Sequence, residues 1–202
     1  EPLRFQTRKQ VGLLGGNFNP VHLAHLVMAD QVQNQLGLDK VYLMPTYLPP
    51  HVDEKKTISS EHRLAMLELA VADNPCLDIE PIELIRKGKS YTYDTMKALK
   101  EANPDTDYYF IIGGDMVEYL PKWHRIDDLL HLVQFVGIRR PNYPTESTYP
   151  IIWVDVPQMA ISSTLIRQKV KSGCSTRYLL PENVINYIQE KGLYQDELDN
   201  KL

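Results

Sequence analysis

Two histidines, His22 and His25, stand one helical turn apart at the start of an apolar-patterned segment, in the stretch GGNFNPVHLAH at residues 15–25. Imidazole donors side by side suit an anion, and the residues before them suit one too. Gly15 and Gly16 lack a Cβ, which permits positive φ and lets backbone amides come close to a ligand. The helix expected from about residue 23 offers unpaired N–H groups and the positive end of its dipole at the same place. Spacing alone also admits a tight turn with two surface histidines. A zinc pair fits less well, because the i, i+4 spacing and internal Glu of a metalloprotease helix are missing. Neither G-x-G-x-x-G nor G-x-x-x-x-G-K-[ST] occurs, which disfavours a standard dinucleotide dehydrogenase or a P-loop ATPase.

A second stretch, AISSTLIRQKVKSG at 160–173, repeats the theme. Ser162, Ser163 and Thr164 supply N-cap hydroxyls and free amides at a helix start, with Arg167 one turn further on the same side. Alone, this is equally an ordinary Ser-capped helix with a solvated Arg. Together the two stretches resemble the two ends of a clamp, and a triphosphate carries enough charge to need both.

The elements that must hold these ends are legible. Short β-type runs at 11–14, 41–44, 77–80, 108–112 and 133–138, with 151–154 a further candidate, alternate with helical patterns at 23–36, 61–73 and 92–102. That alternation predicts an α/β fold, Rossmann-like and doubly wound, with a mostly parallel sheet and helices on both faces. Such sheets bind ligands beyond the carboxyl ends of their strands, where the strand order reverses. Without a long Ser/Gly linker or repeat, the 202 residues are expected to form a single domain, with 1–10 an N-terminal extension and 160–202 a helical part. The segment RRPNYPTESTYP, 139–150, reads as a surface loop within it.

Composition sets limits on partners. A formal net charge of -4 argues against a broad grip on nucleic acid. No run approaches a membrane span or a basic-then-apolar leader. Cys76 and Cys174, far apart in sequence, read as thiols of a reducing, cytoplasmic interior. The chain begins at Glu1 without Met, so its native N-terminus is not inferred.

The pair GGNFNPVHLAH and ISSTLIR resembles the signature pair of the nucleotidyltransferase superfamily, and within it the bacterial nicotinate-nucleotide adenylyltransferases. The resemblance continues through LPPH (48–51), HRLAML (62–67), SYTYDT (90–95), IIGGDM (111–116), KW (122–123) and RRP (139–141). It implies adenylyl transfer from ATP to nicotinate mononucleotide, giving nicotinate adenine dinucleotide and pyrophosphate in NAD biosynthesis. The alternatives are a relative using nicotinamide mononucleotide or phosphopantetheine, and a non-catalytic nucleotide sensor. The chemistry it implies needs alignment and charge neutralisation more than a strong base. On that basis His22, His25 and Arg167 are the expected catalytic residues. ATP is expected to lie against Gly15, Gly16, Asn17, Phe18, Arg139, Ile161, Ser162, Ser163 and Thr164 as well. Mg2+ is expected to be held mainly by the ATP phosphates and water, with no dedicated protein site.

For the acceptor, the resemblance points to Tyr91, Thr92, Gly114, Asp115 and Trp123. Trp123 offers a flat face for a pyridine ring, with a core position as the alternative; Asp115 could instead cap a short helix, and Arg139 could be a solvated loop residue. The sequence departs from the family at Ala24, where Gly is usual, at Asn17 and Asn19, which replace a hydroxyl residue and Asp, and at Val52, where Lys is frequent, with Lys55 and Lys56 nearby. Expected partners are small molecules, with neither nucleic acid nor membrane; homo-oligomerisation is left open.

Overall fold

A computed structural model of the chain describes residues 7–47 and 58–195. The LPPH motif and Val52, Lys55 and Lys56 lie outside the described residues. β1 (Lys9–Gly16) runs parallel to β2 (Lys40–Pro45) on one side and to β4 (Thr106–Gly113) on the other. Strands flanked and covered in this way are buried on both faces, which is why β1 reads as an unbroken apolar run rather than an alternating one. β3 (Leu77–Ile79), β5 (Val133–Ile138) and β6 (Ile151–Val154) complete an all-parallel sheet of order β3-β2-β1-β4-β5-β6.

Alternation along the strands divides the core in two. Leu14, Val41, Leu43, Ile111, Val136 and Ile138 face one layer, where α1 (Leu23–Leu36), α2 (Ser60–Val71), α6 (Ser163–Lys171) and α7 (Glu182–Lys191) bury residues such as Val32, Met66, Ile166 and Val184. Val11, Leu13, Tyr108, Phe110 and Phe135 face the other. There α4 (Thr92–Ala102), the 3₁₀ helix Gly114–Lys122 and α5 (Ile126–Leu129) contribute Met96, Leu120 and Leu129. A short helix, α3 (Ile82–Arg86), links β3 to α4. Among the described residues no helix is long and apolar enough to cross a membrane.

Two expectations change. Lys9 and Gln10, assigned to an N-terminal extension, are strand: they pair with Thr106 and Asp107, and Gln10 also donates its backbone N–H to the Asp39 carboxylate at 2.7 Å. Polar side chains hide this strand start from an apolar-run criterion. Gly15 and Gly16 do not take positive φ; they end β1, and the left-handed residue is Phe18, at φ 48°.

Candidate active site

The chain leaves β1 and β4 toward opposite faces of the sheet, and the cleft opened at that reversal has a volume of about 630 Å³. One wall is built by the end of β1 and the starts of α1 and α6. Gly15, Gly16 and Asn17 line it, with His22 and His25 beside them and Ile161, Ser162 and Ser163 across from β1 in sequence. Gly16 earns its place by approach: a Cβ there would sit 3.3 Å from the ring of Phe18, which is 2% exposed and itself forms the floor rather than the lining.

His22 is the N-cap of α1, in extended backbone conformation, and is only 4% exposed. Its backbone N–H donates to Nδ1 of His25 at 3.1 Å. That bond makes Nδ1 of His25 the acceptor nitrogen and leaves the ring proton on Nε2, free to donate. The two rings stack at 3.7 Å with 22° between their planes, and Phe18 meets the His25 ring edge-on at 4.8 Å. Burial pushes His22 down to about 4; burial, and secondarily the neighbouring His22, push His25 down to about 3. Both imidazoles are therefore neutral near pH 7 in the free protein.

The loop between β1 and α1 is held from outside. Arg167 donates from Nη1 to the Asn19 carbonyl at 2.8 Å and from Nη2 to the Thr164 hydroxyl at 3.2 Å. Ser163 donates its hydroxyl to the Pro20 carbonyl at 2.8 Å, and the Tyr194 hydroxyl donates to Oδ1 of Asn19 at 2.7 Å. Ser162 caps α6, accepting from Leu165 N–H at 3.1 Å. Arg167 and Thr164 thus join the two sequence motifs to each other and do not line the cleft.

The opposite wall carries Thr92, the first residue of α4, and Trp123. Trp123 is partly a core residue and also borders the cleft. Its ring packs edge-on against Phe110 at 5.9 Å and Phe135 at 5.8 Å, while the half-buried remainder borders the cleft. Tyr91 turns outward, stacked on His124 at 4.3 Å with Lys89 over its ring. Gly114 lies behind the wall: a Cβ there would come within 2.6 Å of the Ile138 carbonyl, so glycine lets the 3₁₀ helix touch β5. Asp115 is not the cap of that helix, which is Gly113; its carboxylate lies 3.7 Å from Nε of Arg140.

Arg139 sits away from the cleft, its guanidinium on the exposed Asp155 carboxylate at 2.8 Å, whereas Arg140 lines the cleft. The cause is alternation. Arg139 still bonds to the ladder through its N–H and the Val154 carbonyl, so successive side chains leave β5 on opposite sides. Glu83 was not anticipated. It reaches the cleft from α3 at 6% exposure, and burial raises its carboxyl to about 7, with Arg86 opposing. An acid flanked by Ile82 and Leu84 was the available signal.

Residues 13–169 match the cytidylyltransferase-like family. A protein of Streptococcus pneumoniae named "probable nicotinate-nucleotide adenylyltransferase" is 62% identical over 192 residues, covering 95% of this chain and 92% of that protein. One of the same name from Streptococcus mutans is 62% identical over 195 residues, covering 96% and 93%. The fold is shared with the Plasmodium falciparum nicotinic acid mononucleotide adenylyltransferase complexed with NaAD, at a TM-score of 0.76 and 18% identity over 92% of this chain and 97% of that one. The chain therefore belongs to the cytidylyltransferase-like family, in its nicotinate-nucleotide adenylyltransferase branch.

Proposed function

We propose that this chain transfers the adenylyl group of ATP to nicotinate mononucleotide, forming nicotinate adenine dinucleotide and pyrophosphate. The observation that carries this reading is the convergence of two helix starts, α1 and α6, on one side of a cleft whose other side presents Trp123 and Thr92. Amide and imidazole donors face one half, and an aromatic face with a third helix start, that of α4, faces the other. The first half suits a polyphosphate, and the second suits a flat ring bearing a carboxylate.

In the reaction, an oxygen of the acceptor 5′-phosphate attacks the α-phosphorus of ATP. A new P–O bond forms, the bond from the α-phosphorus to the bridging oxygen breaks, and its electron pair leaves on pyrophosphate. No proton has to move, so a strong base is not required. The chain's part is alignment and donation to the oxygens on which charge accumulates. His25, with its proton held on Nε2, and His22 beside it are the donors placed for this; the loop amides and the α6 start hold the remaining phosphates. The donors on this wall match phosphate oxygens, so a magnesium ion would be held by those phosphates and by water and would neutralise charge on the departing pyrophosphate.

The test is pyrophosphate release on mixing the protein with Mg·ATP and, in turn, nicotinate mononucleotide, nicotinamide mononucleotide and phosphopantetheine. Turnover is expected with nicotinate mononucleotide. Turnover of phosphopantetheine without turnover of nicotinate mononucleotide would reject the reading.

A further inference from the structure

Arg63 lies outside the machinery described so far. It is 1% exposed, in the first turn of α2, and belongs to the HRLAML stretch that the site itself does not use. Its Nη1 donates to the carbonyls of Asn17 at 2.8 Å and Thr46 at 2.7 Å, and its Nη2 to the Ser60 hydroxyl at 3.3 Å. Among the described residues no carboxylate pairs with it. Arginine does not deprotonate in a protein, so a permanent cation is buried against neutral oxygens, an arrangement that burial alone disfavours.

Asn17 and Thr46 both border the cleft, so the charge lies one peptide unit behind its wall. Thr46 N–H also donates to the Gly16 carbonyl at 2.9 Å. The Gly16 carbonyl is thus engaged at the end of β2, and the Asn17 carbonyl by Arg63, which does not line the cleft. A trans peptide directs its N–H opposite to its C=O, so the N–H groups of Asn17 and Phe18 are turned the other way.

We propose that Arg63 is a positioning residue for the nucleotide: by holding the Asn17 and Thr46 carbonyls from behind, it presents the Asn17 and Phe18 amides, and its own charge, to the bound triphosphate. This rests on the reading of residues 15–18 as the triphosphate cradle. A polyphosphate on the cleft side supplies the counter-charge that no carboxylate among the described residues does.

The experiment compares Arg63→Lys and Arg63→Met with the parent, reading ATP dissociation constants, the KM of each substrate, kcat and thermal melting. Losing hydrogen bonds from a charged donor should weaken ATP binding by about tenfold to a hundredfold in Arg63→Met. Arg63→Lys, which keeps the charge and loses the fork, should fall between it and the parent. The acceptor KM at saturating ATP should stay within about threefold, since that wall is untouched. Parent-like ATP affinity in folded variants would overturn the proposal. So would equal loss for both substrates with Lys no better than Met, the pattern of a merely structural residue. Should the variants not fold, the parent decides: the Asn17 and Phe18 amide resonances must shift on adding Mg·ATP, and unmoved resonances would overturn the proposal. A parent that binds ATP but transfers no adenylyl group would sink the proposed activity alone and leave this test intact; one that does not bind ATP would overturn both.

Discussion

ATP binding should draw a proton into the His22–His25 pair. In the free protein both rings are neutral at pH 7, with His22 at about 4 and His25 at about 3. A triphosphate against them favours the charged form. His22 is the ring that can take the proton, because Nδ1 of His25 already accepts the His22 backbone N–H and a second charge 3.7 Å away is repelled. Bringing His22 from about 4 to half-protonation at pH 7 spans three pH units, or about 4 kcal/mol at 1.36 kcal/mol each. One unit charge at about 4 Å, at an effective dielectric constant of about 20, supplies about 4 kcal/mol. The expected uptake is therefore on the order of half a proton per ATP at pH 7. Because the bound form holds more protons, affinity should weaken as pH rises through neutrality and become pH-independent once neither form is protonated. Titration calorimetry of Mg·ATP in buffers of different ionisation enthalpy measures the uptake. Subtracting the His22→Gln variant removes the nucleotide's own titrating phosphate. Proton release by the parent, or an uptake unchanged in His22→Gln, would refute the argument.

Glu83 should show a linkage of the same sign through folding. Its folded carboxyl titrates at about 7, against 4.5 unfolded, so its contribution is present below about 4.5 and is lost as pH rises through 7. Glu83→Gln should therefore gain on the parent between pH 5 and pH 8 in urea melts, by at most about 3 kcal/mol, and no relative gain would refute the assignment. Arg139→Ala should change stability by about 0.2–1 kcal/mol, as for an exposed ion pair, and leave kcat/KM nearly intact. Arg140→Ala, on the cleft wall, should lower kcat/KM markedly; the reverse ranking would refute the alternation argument. Trp123→Ala should weaken use of the acid and amide mononucleotides alike, whereas Thr92→Pro, if folded, should erode the preference for the acid, which one mispaired buried polar group sets at roughly tenfold to more than a hundredfold. A ratio that collapsed in the Trp123 variant and survived at Thr92 would reverse those roles.

Local pattern carried the strands and long helices because burial on both faces gives β1, β4 and β5 dense apolar runs, and the α4 stripe of Tyr93, Met96 and Leu99 repeats at helical spacing. The two helix starts on the cleft wall, α1 and α6, were legible for the same reason: hydroxyl caps and glycines are local signals. Contacts across the chain were not. Nothing in the neighbourhood of Arg63 announces a carbonyl 46 positions away, and the five-residue α3 is too short to show a period, which left Glu83 unread. Arg139 and Arg140 were separable only once the end of β5 was fixed to the residue. Positive φ moved from glycine to Phe18 because packing under Gly16, not backbone freedom, shapes that turn.

The bond from Tyr194 to Asn19 closes a circuit between residues 175 positions apart. A ribosome reading this message finishes β1 and its loop early, and the sheet can assemble as β4, β5 and β6 emerge. The clasp on Asn19 comes only with the turn after α7. Nascent chains would thus own the strands and both histidines while lacking this fastening of the loop between β1 and α1 until Tyr194 has emerged, and a fragment that folds need not be a fragment that works.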